Sequence, residues 1–153
     1  MRYVEKIISI PGSKSYTNRS LLLAALTKNP VEILNPLSSD DTKAMINCLK
    51  TLGINIRLSK ERIKVLGDIS DVKNNTYDLN VNLSGTTIRF ILALSCIVPG
   101  IKKIYGEEGL NKRPINELVE GLKQLGAEIE YLEKQGFPPL LVKSSKLKPG
   151  LQN

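Results

Sequence analysis

One sequence unit occurs twice in this chain, and the duplication constrains the fold more than any other feature. In the first copy Arg19 precedes an apolar run at residues 21–26, and Pro30 follows. The β-prone segment Val31-Glu32-Ile33-Leu34 then leads through a loop to an amphipathic stretch from about Asp40 to Leu52. Gly53 ends that stretch, and extended segments follow at 54–58 and 62–65. The second copy keeps the order: Arg89 before the apolar run 90–94, Pro99, the segment Ile101-Lys102-Lys103-Ile104-Tyr105, and a helical stretch from Pro114 to Leu125 closed by Gly126. Segments at 127–131 and 140–142 complete it. Arg19 and Arg89, like the pairs Leu52-Gly53 and Leu125-Gly126, stand about 70 residues apart.

Periodicity within each copy predicts the elements. Met45, Cys48, Leu49 and Leu52 share one face of the second helix of the first copy, as Leu118, Val119, Leu122 and Leu125 do in the second copy. Ser39 with Asp40-Asp41 suits a helix start, Pro114 suits the first helical position, and Gly53 and Gly126 suit the C′ position. The first helix of each copy, from about Thr17 in one and beside Arg89 in the other, is apolar nearly all round, which predicts burial on every side. Each copy reads as helix–strand–helix–strand–strand behind an entering strand, which in the first copy is Ile7-Ile8-Ser9-Ile10. The expected class is therefore α/β, a βαβαββ pattern stacked twice.

Composition removes several chemistries. The chain has 153 residues and is most simply one domain, or a compact part of something larger. It contains no His and two separated cysteines, Cys48 and Cys96, each flanked by apolar residues. Thiolate–imidazole metal sites and Cys–His dyads are excluded, no metal is expected, and both thiols read as buried and structural. Any proton transfer falls to Lys, Glu, Asp or Tyr, or to groups outside the chain. No apolar run reaches the roughly 20 residues of a membrane span. Residues 1–6 lack a signal-peptide pattern, so the default expectation is a cytoplasmic protein without membrane contact. The net charge of +7, with five Tyr and two Phe and no aromatic–basic interleaving, favours small anions over nucleic acid.

Three polar elbows carry the cations of interest, Lys14, Arg19, Arg89 and Arg113. The first, Pro11-Gly12-Ser13-Lys14-Ser15-Tyr16-Thr17-Asn18-Arg19, joins the expected entering strand to the first helix. Helix starts expose unpaired N–H groups and the positive end of the macrodipole, so Lys14, Arg19 and the neighbouring hydroxyls suit phosphate or carboxylate. The simpler alternative is that Ser13 or Ser15 caps the helix while both cations are solvated. A Walker A loop is excluded, because Ser13 and Ile8 stand where its glycines belong. The second elbow, 82–89, offers a bare backbone at Gly85, hydroxyls at Ser84, Thr86 and Thr87, and Arg89 one turn on. The third, 106–114, ends in Arg113 before Pro114, where a guanidinium can grip an oxyanion bidentately. Asp40-Asp41 read as first-turn helix residues rather than a catalytic pair.

These residues resemble a known family. Pro11-Gly12-Ser13-Lys14-Ser15 with Asn18-Arg19 is similar to the amino-terminal signature of the 3-phosphoshikimate 1-carboxyvinyltransferases (EPSP synthases). Ser84-Gly85-Thr86-Thr87-Ile88-Arg89 resembles their second signature, and Gly106-Glu107 through Arg113-Pro114-Ile115 their third. The resemblance runs, in order, over nearly the whole chain. It implies the enolpyruvyl transferase fold, an inside-out α/β barrel with three such units in each of two domains. Two of six units are then expected here, at about 13–78 and 82–147 within a partial first domain 13–153, with 1–12 belonging to a second domain that is otherwise absent.

The activity so implied is transfer of the enolpyruvyl group of phosphoenolpyruvate to the 5-hydroxyl of shikimate 3-phosphate, releasing phosphate, through a tetrahedral intermediate and with no cofactor. Carried over position by position, Lys14, Ser15 and Arg19 would hold shikimate 3-phosphate. Lys14, Gly85 and Arg113 would hold phosphoenolpyruvate, so that Lys14 bridges the two substrates. Thr86 and Arg89 take supporting roles. The family's acid–base carboxylates and carboxy-terminal cationic ligands have no counterpart here, which predicts a chain inactive alone that needs a carboxy-terminal half as partner. Leu83 departs from the pattern, which has Asn at that place. Two alternatives stay open. One is a UDP-N-acetylglucosamine enolpyruvyl transferase, although that family has Ala-Lys-Asn where this chain has Ser13-Lys14-Ser15. The other is a non-catalytic module binding polyanions or nucleic acid.

Overall fold

A computed structural model describes residues 10–148. The first unit contains α1 (Lys14–Ala25), β1 (Val31–Leu34), α2 (Asp40–Thr51), β2 (Ile56–Leu58) and β3 (Arg62–Val65). A 3-10 turn at Ile69–Asp71 leads to the second unit: β4 (Thr76–Asn80), α3 (Gly85–Ile97), β5 (Ile101–Tyr105), α4 (Glu108–Asn111), α5 (Asn116–Gln124), β6 (Glu128–Tyr131) and β7 (Leu140–Lys143).

The duplication survives in three dimensions as a shared sheet topology. The first sheet has order β1-β3-β2, with both pairs antiparallel. The second has order β4-β5-β7-β6: β5-β7-β6 repeats that antiparallel arrangement, and β4 adds to β5 in parallel. The βαβαββ expectation is met in full by the second unit. The corresponding first strand of the first unit, expected at residues 7–10, falls outside the described residues except for Ile10. Gly53 and Gly126 end α2 and α5 with φ of +99° and +95°, a backbone that side-chain-bearing residues rarely adopt.

Strand residues alternate buried and exposed, as in β3 and β4, so each sheet covers the core with one face and meets water with the other. The helices pack between these faces. α2 contacts both α1 and α3 and reaches β4, while α3 lies on β5 and β7. Met45, Leu49 and Leu52 of the α2 segment join Ile88, Ile91 and Leu92 of α3 in one continuous core. Each such side chain contributes about 1.5–3 kcal/mol by leaving water. Among the described residues no helix is long and apolar enough to cross a membrane. Cys48 and Cys96 are free and buried, as expected, and burial pushes their thiols up to about 12 and about 11.

Four local expectations need correction. α1 starts at Lys14 rather than near Thr17, because Ser13 takes the N-cap position and its carbonyl accepts the Thr17 N–H at 2.9 Å. α1 is also not buried all round. It turns Thr17, Asn18, Leu21, Ala24 and Ala25 inward and leaves Tyr16, Leu23 and Leu26 exposed. Pro114 is not the first helical residue: Ile115 is the N-cap of α5, its N–H drawn onto the Gly136 carbonyl at 2.9 Å, so helical bonding begins at Asn116. The strand expected at 54–58 is confined to Ile56–Leu58, because the Ile54 N–H bonds back to the Leu49 carbonyl of α2.

One buried charge stands out in the second unit. Lys102 on β5 is fully buried, and its ammonium donates to the carbonyls of Val98, at the end of α3, and Gly100, the latter at 2.9 Å. Desolvation pushes this ammonium down to about 8 from its ordinary 10.5. Between those values the unfolded chain binds more protons than the folded one, so this group makes stability rise with pH. The raised Cys48 and Cys96 thiols oppose the trend only above their ordinary value of 9, and the chain has no histidine to obscure it. We expect the urea midpoint to climb between pH 8 and 9, and Lys102→Met to flatten that slope. Parallel slopes in the two proteins would show that Lys102 does not titrate there.

Candidate functional site

Three helices begin at one corner of the molecule, and each start is capped by serine. On α1, Ser13 Oγ accepts the Tyr16 N–H at 3.4 Å. Gly12 lies so close to the backbone of Asn35 and Leu37 that a Cβ there would collide with the Asn35 carbonyl. Thr17 Oγ1 accepts the Leu37 N–H at 3.0 Å, which fastens α1 to the loop entering α2. On α2, Ser39 and Thr42 form a reciprocal capping box. On α3, Ser84 Oγ accepts the Thr87 N–H at 3.1 Å and donates to Thr87 Oγ1, which in turn donates to the Asp41 carbonyl at 3.2 Å. That last bond locks the start of α3 to the start of α2.

Around this corner lies a cleft of about 550 Å³, lined by Lys14, Arg19, Asp41, Leu83, Gly85, Thr86, Arg89, Phe90 and Arg113. Four cations drawn from three separate elbows thus face one space with a single carboxylate. Arg89 donates to the Gly85 carbonyl at 2.6 Å, which lays its guanidinium along the first turn of α3. The Arg89 and Arg113 guanidinium nitrogens come within 3.2 and 3.6 Å of where a Cβ on Gly85 would stand. Gly85 is therefore the point at which two guanidinium groups and the open end of a helix meet. The N–H groups of the first helical turn have no carbonyl partner within the helix, so an oxyanion there gains hydrogen bonds as well as charge.

The sequence-predicted residues are brought together almost without exception. Lys14, Arg19, Gly85, Thr86, Arg89 and Arg113 all line the cleft. Ser15 is not among the lining residues; its Oγ accepts from the Arg19 guanidinium one helical turn on. Ser13 does cap α1, and Lys14 and Arg19 are both exposed, as the simpler alternative has it, while both also line the cleft. The third elbow is more ordered than a loop. α4 lies inside it, Asn111 accepts the Gly106 N–H at 3.1 Å, and the Arg113 N–H bonds to the Leu110 carbonyl at 2.8 Å, so Arg113 projects from a fixed turn.

Three cleft residues were not predicted as such: Asp41, Leu83 and Phe90. Asp41 is a first-turn helix residue, as expected, but it also accepts from the Lys14 ammonium at 2.9 Å. The Ser84 hydroxyl and the Lys14 ammonium hold its carboxyl below the usual carboxylate range. Asp40 beside it meets only Lys43, with its side chain 93% exposed. Nothing local distinguishes the two acids; only the approach of α1 does. Among the described residues no group of His, Cys, Asp or Glu is arranged to hold a metal ion.

Comparison with known proteins gives this corner a context. The family model of EPSP synthase, 3-phosphoshikimate 1-carboxyvinyltransferase, matches residues 1–150. A 3-phosphoshikimate 1-carboxyvinyltransferase of Haemophilus influenzae is 40% identical over 154 residues, covering 96% of this chain and 35% of that protein. One of a Sulfurovum species is 39% identical over 153 residues, covering 98% of this chain and 36% of that protein. The chain thus spans about a third of the length of these relatives. In fold it is similar to a solved EPSP synthase from Acinetobacter baumannii, with a TM-score of 0.87 at 24% identity over 95% of this chain and 34% of that one.

The Lys14–Asp41 pair yields a direct test. Both partners are partly exposed, at 50% and 27%, so the pair contributes well under 1 kcal/mol to stability. Its larger effect is to cancel one of the four charges at the cleft. Asp41→Asn should leave the urea midpoint nearly unchanged and tighten inorganic phosphate binding by about 3- to 10-fold at low ionic strength, an advantage that salt erodes. A titration followed by NMR at two salt concentrations checks both points.

Proposed function

The chain belongs to the EPSP synthase family, and on that premise we propose that its cationic cleft forms one wall of a site for enolpyruvyl transfer from phosphoenolpyruvate to the 5-hydroxyl of shikimate 3-phosphate. The observation that carries this reading is the convergence of Lys14, Arg19, Arg89 and Arg113 on the open end of α3 at Gly85. Two substrates bearing phosphate and carboxylate groups repel one another, and holding them side by side requires dense, fixed positive charge.

Each residue has a part consistent with its position. Ser15 and Arg19, coupled on adjacent turns of α1, receive the phosphate of shikimate 3-phosphate. Lys14, a flexible point charge, exchanges its contact with Asp41 for substrate oxygens and bridges the two ligands. The amide at Gly85 and the Arg113 guanidinium hold phosphoenolpyruvate, with Arg89 buttressing the turn through the Gly85 carbonyl. In the transfer, the 5-hydroxyl oxygen bonds to the enol carbon and phosphate departs, so negative charge must be stabilised on the leaving group. The one carboxylate at the cleft is committed to Lys14. We therefore assign binding and charge stabilisation to this chain and proton transfer to groups beyond it. A cytoplasmic location belongs to the same proposal, in keeping with the two free thiols.

Shikimate 3-phosphate and phosphoenolpyruvate should each shift the NMR signals of residues around the cleft. Lys14→Ala and Arg19→Ala should weaken shikimate 3-phosphate binding by about tenfold or more, as for loss of one charge-assisted contact. Arg113→Ala should act chiefly on phosphoenolpyruvate. Turnover by the chain alone is expected to be undetectable. Failure to bind shikimate 3-phosphate, together with tight, steeply salt-dependent binding of single-stranded nucleic acid, would overturn the reading in favour of a polyanion module.

A further inference from the structure

The sheet of the first unit leaves part of its core face uncovered. Leu58 of β2 stands opposite Ile63 of β3 in an antiparallel pair, so both side chains belong to one face of the sheet. That face is the buried one: Ile63 is 5% exposed, and the other pair on it, Ile56 with Val65, is buried as well. Leu58 is nevertheless 54% exposed. The reason is a groove of about 190 Å³ that opens there. Leu37, Ile46, Leu58 and Ile63 give it an apolar lining, and Lys43 and Lys60 give it charge. No carboxylate is among its lining residues, and it shares none of them with the cationic cleft.

Hydrogen bonds fix the walls of this groove. Thr42 Oγ1 donates to the Leu37 carbonyl at 2.9 Å, and the Leu37 N–H donates to Thr17 Oγ1 at 3.0 Å, so the loop entering α2 is held to two helices. At the other wall, the Ser59 N–H and hydroxyl both donate to the Arg62 carbonyl, at 2.9 and 3.2 Å, which closes the β2–β3 turn. Lys43 lies 3.5 Å from Asp40, whose side chain is 93% exposed, a pair that costs little to separate.

The volume equals that of about six waters, enough for one short chain or a single ring. Hydrocarbon in it would cover the exposed part of the core face, and an anionic head would meet the two ammonium groups. We propose that this groove is a binding site for a small monocarboxylate carrying an apolar chain or ring. The site is independent of the enolpyruvyl transfer proposed above, and failure of either leaves the other standing.

Titration of the chain with hexanoate, hexanamide and acetate, followed through its amide NMR signals, tests this. Hexanoate should shift residues 36–46 and 58–63 saturably, with a dissociation constant of about 1–10 mM. Hexanamide, which lacks the charge, and acetate, which lacks the chain, should each bind at least about 3-fold more weakly. Lys60→Gln should weaken hexanoate by about 2- to 5-fold and leave hexanamide unchanged. Leu58→Gln, at an exposed position, should weaken both, with amide spectra showing that both variants are folded. Equal binding of hexanoate and either control would overturn the proposal. So would hexanoate shifts centred on residues 83–90 alone, which would put the carboxylate in the cationic cleft, or no saturable shift at tens of millimolar.

Discussion

Three helix N-termini, each the positive end of a dipole, are held against one another at a single corner, and the remaining features of the site follow from that constraint. Like partial charges do not gather without compensation. Here compensation comes from serine oxygens at all three caps, from the α3–α2 bond between Thr87 and the Asp41 carbonyl, and from the Asp41 carboxylate lying against Lys14. The result is a corner that is mechanically closed and electrostatically unfinished. One carboxylate faces four cations, and the difference is what an anionic ligand supplies.

The duplicated unit explains how such a corner arises. α2 starts behind β1 and α3 behind β4, and α1, α2 and α3 stack in a common core with their starts at one end. The copies are not equivalent, however. α3 is buried along most of its length, whereas α1 turns Thr17 and Asn18 inward and leaves Leu23 and Leu26 in water. The Leu37 N–H bond to Thr17 Oγ1 fixes that inward face to the loop before α2. The opposite side of α1 carries Lys14 and Arg19, which line the cleft.

Much of this was legible in the order of residues. The repeat predicted two α/β units, and the match of β1-β3-β2 to β5-β7-β6 bears it out. Lys14, Arg19, Gly85 and Arg113 were identifiable because cations, glycine and hydroxyls at helix starts have a definite chemistry. Element boundaries were less legible. The start of α1 depended on Ser13 capping in preference to Ser15, and the start of α5 on a bond from Ile115 to Gly136, a residue distant in the chain.

By itself, the sequence determined the alternation of helix and strand, the duplicated unit and the kinds of groups set at each elbow, since these depend on local periodicity and on the chemistry of neighbouring residues. Only the tertiary structure decided that three elbows share one cleft and that Asp41 rather than Asp40 meets Lys14. Those are contacts between residues tens of positions apart. Their partners are chosen by how helices stack, and no run of neighbouring residues encodes that choice.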